Sequence, residues 1–294
     1  MCKSSRPNDS RPRIAVAGAT GRVGSSLIAS LVSEPLDLIA LSRKPDAESV
    51  PSGVALAAVD FDVPSSLDDA LRGVDRLFLA HGTSPRQVAN EIALIDAAVA
   101  AGVGQIVKLS AMGPPSRLHP MDWHMQIEAH LATFDIGYTV LRPSTFVDIL
   151  ARAGGQVADD SWGGAAGEGL VNLIDTRDVA DVARAALLDD AHPTAQRAYH
   201  LTGPRAVSMP EIAEEISKLL GRTITYQQRS AAEQREKLLA GGLNEFVADL
   251  LVGLDRLFHD SAFGETTSTV ENLTGNAPRS VAGWLSENIS KFRK

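Results

Sequence analysis

Arg13-Ile14-Ala15-Val16-Ala17-Gly18-Ala19-Thr20-Gly21-Arg22-Val23-Gly24 is the stretch whose reading decides the fold. Arg13 to Ala17 is a short, mostly apolar run that stops at glycine, and Ser25 to Val32 continues as a helix. The pattern is therefore strand, glycine turn, helix. Gly18, Gly21 and Gly24 are spaced by three, and each glycine has its own work. One makes the tight turn, one lets the backbone approach a pyrophosphate, and one allows close helix–strand packing. The helix start then presents free N–H groups and the positive end of its dipole to phosphate oxygens. The placement after a first strand points to a dinucleotide.

Working outward, short apolar runs alternate with helical stretches. Leu36 to Leu41, Val54 to Val59, Arg76 to Ala80, Gln105 to Leu109 and Tyr138 to Leu141 read as further strands. Pro64 to Arg72 reads as a helix capped by Ser65 or Ser66. Pro85 to Ala101 has helical periodicity, with Val88, Ile92, Ile95 and Val99 as its apolar positions and Gly102 as its stop. Met121 to Phe134 gives another helix. This alternation predicts parallel βαβ units. The expected class is α/β, a Rossmann-type doubly wound parallel sheet with a smaller C-terminal substrate lobe.

The second half is less regular. Gly154 to Gly169 reads as a loop, Asn172 to Asp175 as a strand, and Asp178 to Leu188 as a helix capped by Thr176. Tyr199 to Thr202 and Ile224 to Gln227 are further strand candidates. Pro210 to Leu220 and most of Ala231 to His259 look helical, the latter broken at Gly241 and Gly242. The expected division is a dinucleotide-binding domain over 13–150, with 172–202 returning to it, and a lobe from 151–171 and 203–294.

The end of the second strand sets the cofactor preference. A carboxylate there would accept from a ribose 2′-hydroxyl. Here the residues are Ser42-Arg43-Lys44, and Asp37 lies too early, at the strand's start. A guanidinium pairs with a 2′-phosphate, so NADP(H) is expected over NAD(H). Asp60 and Phe61 follow the third strand. They fit an adenine contact or, equally, a capping aspartate and a core phenylalanine.

Composition excludes several classes. Of 294 residues, 44% are hydrophobic and 22% charged, as in ordinary globular chains. The formal net charge of −8 argues against generic nucleic-acid binding, which needs clustered Lys and Arg. Cys2 is the sole cysteine, so neither an intrachain disulfide nor a multi-cysteine zinc site can form, which fits a reducing compartment. Residues 1–12 are polar and lack the apolar centre of a signal peptide. No run approaches the ~20 apolar residues of a membrane span. A disordered tail and a soluble, cytoplasmic protein with no membrane partner are expected.

Taken together, these residues resemble the NmrA-like branch of the atypical short-chain dehydrogenase/reductase superfamily. The likeness is strongest to its subgroup of NADPH:quinone oxidoreductase type two and triphenylmethane reductase. It is carried by Gly18 to Gly24, Ser42-Arg43, Asp60-Phe61-Asp62 and Val107-Lys108-Leu109-Ser110-Ala111. Trp123-His124, Glu128, Tyr138 to Phe146, Asp175 to Ala180, Tyr199 to Pro204 and Leu273-Thr274-Gly275 extend it along nearly the whole chain. The resemblance implies a cofactor lying over Thr20, Gly21, Arg22, Val23, Arg43, Asp60, Phe61, His81, Ser110, Pro143, Thr145 and Phe146. It also implies a smaller lobe closing over the nicotinamide.

Members of the wider superfamily carry a Tyr-x-x-x-Lys pair on the helix before the sixth strand. This chain has His124 and Glu128 there, at a spacing that puts both on one helix face. They are the candidate catalytic residues: Glu128 orienting or charging His124, and His124 as general acid or ribose anchor. A surface ion pair is the plainer alternative. Losing the usual proton donor suits hydride transfer to quinones or cationic dyes, for which the cofactor carries the chemistry. It equally suits a non-catalytic NADP(H) sensor acting through a protein partner. An ether reductase would show a lysine on that helix, which counts against it. His119, His124 and His130 lie close in sequence but form no metal motif, so no metal is expected. No Gly-x-Ser-x-Gly elbow suggests a hydrolase. Trp123, Phe146 and Trp162 fit stacking on an aromatic substrate or ordinary packing. The apolar stripe of Phe246, Leu250, Leu251, Leu254, Leu257 and Phe258 fits a mobile lid or a homodimer surface. The expected partner is a small electrophile.

Overall fold

The computed structural model describes residues 11–46, 50–113 and 121–293. Cys2, most of the expected tail, and His119 lie outside the described residues.

The first strands follow the predicted alternation: β1 (Arg13–Ala17), α1 (Arg22–Leu31), β2 (Asp37–Ser42), β3 (Ala55–Ala58), α2 (Pro64–Leu71), β4 (Arg76–Leu79), α3 (Gln87–Ala100), β5 (Gln105–Leu109), α4 (Met121–Leu131) and β6 (Gly137–Pro143). After β6 come β7 (Thr145–Phe146), a 3-10 helix (Val147–Ala153), α5 (Gly154–Ala158), β8 (Gly163–Gly164), β9 (Val171–Ile174), α6 (Thr176–Leu187) and β10 (Gln196–Leu201). The remainder is β11 (Ala206–Val207), α7 (Met209–Leu220), β12 (Gln227–Gln228), α8 (Ala231–Ala240), α9 (Glu245–His259), α10 (Thr269–Thr274), α11 (Val281–Asn288) and a final 3-10 turn (Ile289–Phe292).

The large sheet has seven strands in the order β10-β6-β5-β4-β1-β2-β3. β1 pairs in parallel with β2 and β4, and the parallel ladder continues through β5 to β6. The N–H of Tyr138 donates to Ala195, and that of Ser144 to Leu201, so β10 runs the same way as β6. The chain steps one way from β1 to β2 and the other way from β3 through β4, β5 and β6. Right-handed crossovers therefore put α1 on one face and α2, α3 and α4 on the other. The core agrees with this. Ala15, Ile39, Leu77, Ile106 and Val140 pack with Leu67 and Leu71 of α2, Leu94 and Ala98 of α3, and Ile127 and Leu131 of α4.

The chain forms two compact units. One comprises 1–110, 125–141 and 180–198; the other comprises 111–124, 142–179 and 199–294. The second unit has its own core, with Val147, Leu150, Val157, Trp162, Leu173, Ile212, Ile216, Trp284 and Phe292 buried together. Its three-stranded sheet has the order β11-β9-β7.

Four local expectations are corrected. Ser65 and Ser66 do not cap α2. Val63 stands at that position, and the Ser66 hydroxyl instead takes the Asp60 N–H at 2.9 Å. Thr176 begins α6 rather than capping it, and the Asp175 carboxylate accepts the Arg177 N–H at 2.9 Å. Gly154 to Gly169 contains a helix and a short strand rather than only loop. The strand expected at Ile224 shrinks to Gln227–Gln228. Gly102 does end α3, at φ +78, and its N–H donates to Val99. None of the described helices is long and apolar enough to cross a membrane.

Candidate functional site

Adjacent strands β1 and β4 lead to opposite edges of the sheet, so their C-terminal ends flank a topological switch point, where α/β sheets leave a crevice. The crevice is present in the first unit, with a volume of about 800 Å³. Its floor is the Gly18–Gly21 turn after β1. Ser42, Arg43 and Lys44 after β2 form one wall, with Val59 and Phe61 after β3. Ala80, His81 and Gly82 after β4, together with Asn90, Glu91 and Leu94 of α3, form the other.

The glycines are sterically required. Gly18 has φ +72, and a Cβ there would lie 2.9 Å from the Ala80 carbonyl oxygen. A Cβ on Gly24 would lie 2.2 Å from the Gly18 carbonyl oxygen, because α1 starts directly against the turn. Gly21 precedes α1, no side chain caps that end, and no acidic residue occupies the first turn. The Gly21 N–H donates to the Gly18 carbonyl and the Ser25 N–H to the Gly21 carbonyl, so the helix begins directly on the glycine turn. This is a cradle for phosphate oxygens.

Arg43 is exposed on the cleft wall and makes no ion pair with any described residue. Its charge is thus available to a ligand. Phe61 meets His81 edge-on, with centroids 5.9 Å apart. His81 Nδ1 lies 2.6 Å from the Gly82 carbonyl oxygen, and Nε2 lies 3.0 Å from the Asn90 amide nitrogen. The pattern fits the neutral tautomer, donating from Nδ1 and accepting at Nε2. The Asp60 carboxylate takes the Asp62 N–H at 2.9 Å and is not among the cleft's lining groups.

Beneath the cleft lies a buried ion pair. Lys108 of β5 and Glu91 of α3 are both 0% exposed, with Nζ 2.7 Å from Oε2. Gln87 donates to the other Glu91 oxygen at 2.9 Å, and Lys108 also donates to the Leu109 carbonyl. Neither Asn90 nor Glu91 was expected at the site. A lysine inside an otherwise apolar strand was the available signal, since a buried lysine requires a carboxylate partner.

The remaining expected residues fall into two groups. Ser110 follows β5, and its hydroxyl donates to the Glu128 carboxylate on α4, both in the first unit. His124 stands on α4 but belongs to the second unit, as do Pro143, Thr145 and Phe146. Pro143 ends β6. Thr145 and Phe146 form β7 and pair in parallel with Leu173 and Ile174. Arg22, Val23 and Gly24 open α1 beside the cleft, Val23 and Gly24 being buried. Among the described residues, no group of His, Cys, Asp and Glu is arranged to hold a metal ion.

The residues present fit a dinucleotide: a turn that a Cβ would fill, a helix that starts directly against it, and an exposed cation beyond the second strand. Comparison with known proteins agrees. Residues 18–190 match the family model described as NAD(P)H-binding. The chain is 31% identical to the NAD(P)H azoreductase of Xenophilus azovorans over 286 residues, covering 95% of this chain and 99% of that one. It is 30% identical to quinone oxidoreductase 2 of Escherichia coli, covering 92% and 96%. The solved structure of the Escherichia coli NADPH-dependent quinone oxidoreductase complexed with NADPH superposes with a TM-score of 0.85 at 26% identity, covering 94% and 98%. With the family model spanning more than half of its length, the chain belongs to the NAD(P)H-binding family, and its fold is NmrA-like.

Proposed function

We propose that this protein is an NADPH-dependent oxidoreductase that passes hydride to a small aromatic or quinone-like acceptor. The observation that carries the reading is Arg43, exposed and without an ion-pair partner among the described residues, in a cleft floored by the glycine turn. The α1 amides would hold the diphosphate and Arg43 the 2′-phosphate, with Phe61 against the adenine. When bound, the reduced nicotinamide supplies the hydride.

The chain's own residues do the rest. Helix α4, Met-Asp-Trp-His-Met-Gln-Ile-Glu-Ala-His-Leu, contains neither tyrosine nor lysine, so the proton donor usual in the superfamily is missing from it. Acceptors that take hydride with little proton assistance suit that helix. Quinones and dyes of the kind named in the relatives are such acceptors. Glu128, holding the Ser110 hydroxyl, fixes the chain just past β5. His124 is the candidate to orient the acceptor or supply a proton.

The test is NADPH oxidation across a panel of quinones and azo dyes. Saturable turnover with at least one acceptor is expected. Tight NADPH binding with no turnover on any acceptor would replace this reading with a cofactor sensor.

A further inference from the structure

The second unit holds a separate pocket of about 110 Å³, of the order that takes a single benzene-sized ring. Its walls combine apolar and aromatic side chains, Leu150, Trp162, Leu238 and Phe258 among them, with the polar groups of Arg152, Gln156, Gln234, Tyr226 and Asp255. Trp162 and Tyr226 meet edge-to-face at 5.2 Å.

Tyr226 and Asp255 are held together by the backbone. The Ala165 N–H donates to Asp255 Oδ2 at 2.9 Å, and the Ala166 N–H donates to the Tyr226 hydroxyl oxygen at 3.3 Å. A Cβ on Gly164 would lie 2.4 Å from the Tyr226 hydroxyl and 3.0 Å from Asp255 Oδ2. Only a glycine there lets both groups flank the same point. Among the described residues the Tyr226 proton has no acceptor, and Asp255 Oδ1 has no donor. Besides Gln156 Oε1, a buried acceptor on the same wall with no partner among the described residues, Tyr226 and Asp255 therefore leave over one hydrogen-bond donor and one acceptor as a pair. Such a pair matches a hydroxyl group, which accepts from the first and donates to the second.

The charge balance favours a neutral group over a cation. Arg229 is fixed by the carbonyls of Ser161 and Gly163, at 2.6 and 3.0 Å, and its charge acts on both Asp255 and Tyr226. Burial also raises the pKa of the Tyr226 hydroxyl, which keeps its proton.

We propose that this pocket binds a hydroxylated aromatic ring, its hydroxyl accepting from Tyr226 and donating to Asp255. Its assignment as the acceptor-binding subsite rests on the reductase reading, although binding itself does not. The hydroquinone form of a reduced quinone belongs to this class.

The experiment titrates p-cresol, p-methylanisole and toluene into the full chain without cofactor, reading Trp162 fluorescence against a Trp162→Phe control. Saturable p-cresol binding is expected, roughly tenfold tighter than p-methylanisole, the loss typical of one unpaired hydrogen-bonding group. Tyr226→Phe and Asp255→Asn should each weaken p-cresol about fivefold or more on the same argument and leave NADPH affinity unchanged. Leu238→Trp, which fills the pocket, should abolish binding. Equal affinity for p-cresol and toluene, or p-cresol affinity untouched by all three substitutions, overturns the proposal. Quinone turnover with NADPH in a chain that does not bind p-cresol overturns it alone. Binding of p-cresol without any turnover supports the pocket and removes the reductase reading alone.

Discussion

A methyl group at Gly24 would sit 2.2 Å from the Gly18 carbonyl, so no side chain fits there without moving the turn or the helix. Gly18, Gly21 and Gly24 were legible from spacing alone because each answers a steric demand that sequence exposes directly. Arg43 was legible for a similar reason, since a cation at a strand's end needs no knowledge of packing. His124 is different, because its role depends on what it faces. If it orients or protonates the acceptor, His124→Ala should lower kcat about tenfold or more, while NADPH affinity stays within roughly twofold, as for loss of an acid–base group. Steady-state kinetics checks this, and unchanged kcat removes His124 from the mechanism. Asp255 carries a pH prediction. Burial raises its pKa above the usual carboxylate value, against the opposing Ala165 N–H and the Arg229 charge. A raised folded value means stability is fullest below the ordinary pKa and is lost as pH rises through the folded one. Asparagine keeps an acceptor for Ala165 and carries no charge. Asp255→Asn should therefore match the wild-type Tm in acid and exceed it near neutrality by scanning calorimetry. A lower Tm near neutrality would count against burial as the dominant influence.

At the scale of elements, α3 shows where periodicity misleads. Its apolar positions suggested a face through Val88, Ile92, Ile95 and Val99; Ile95 is buried and Val88 and Val99 pack against the core in part, but the fully buried face is centred on Gln87, Asn90, Glu91, Leu94 and Ala98. Polar side chains at the helix start are buried because they have partners elsewhere: Asn90 has His81, and Glu91 has Lys108. A hydrophobic stripe cannot reveal a face that is polar at one end and apolar at the other. The same pair ties α3 to β5. Lys108→Met strands the Glu91 carboxylate in the core and should cost about 3–5 kcal/mol by urea denaturation. Adding Glu91→Leu should recover most of that loss, because the uncompensated charge is gone. A single substitution costing under about 1 kcal/mol would show that the pair is not desolvated as the geometry implies. A capping box closes the start of α7: Ser208 accepts the Glu211 N–H, and the Glu211 side chain takes the Ser208 N–H. Ser66 failed as a cap because its hydroxyl was already committed to Asp60.

For the whole molecule, the order of strands and helices through β6 was readable because each element is long enough to show its period. The doubly wound parallel sheet followed from that alternation, the right-handed crossover rule and the glycine turn together. The second unit was less readable. β7, β8, β11 and β12 are two residues each, too short to carry an alternation, and their pairing is set by tertiary packing. The cleft's far wall was hidden for a related reason, since Ala80, Gly82 and Asn90 meet the glycine turn only once β4 is placed beside β1. The central claim is that the first unit grips the dinucleotide's diphosphate at the glycine turn and its 2′-phosphate at Arg43. Calorimetric titration of NADPH and NADH into the wild-type chain and Arg43→Ala tests both halves at once. Saturable NADPH binding is expected, weakened about 10–100-fold by Arg43→Ala as for one charge-assisted contact, with NADH affected roughly twofold or less. No binding of either dinucleotide to the folded wild-type chain, or equal losses for the two, would contradict it.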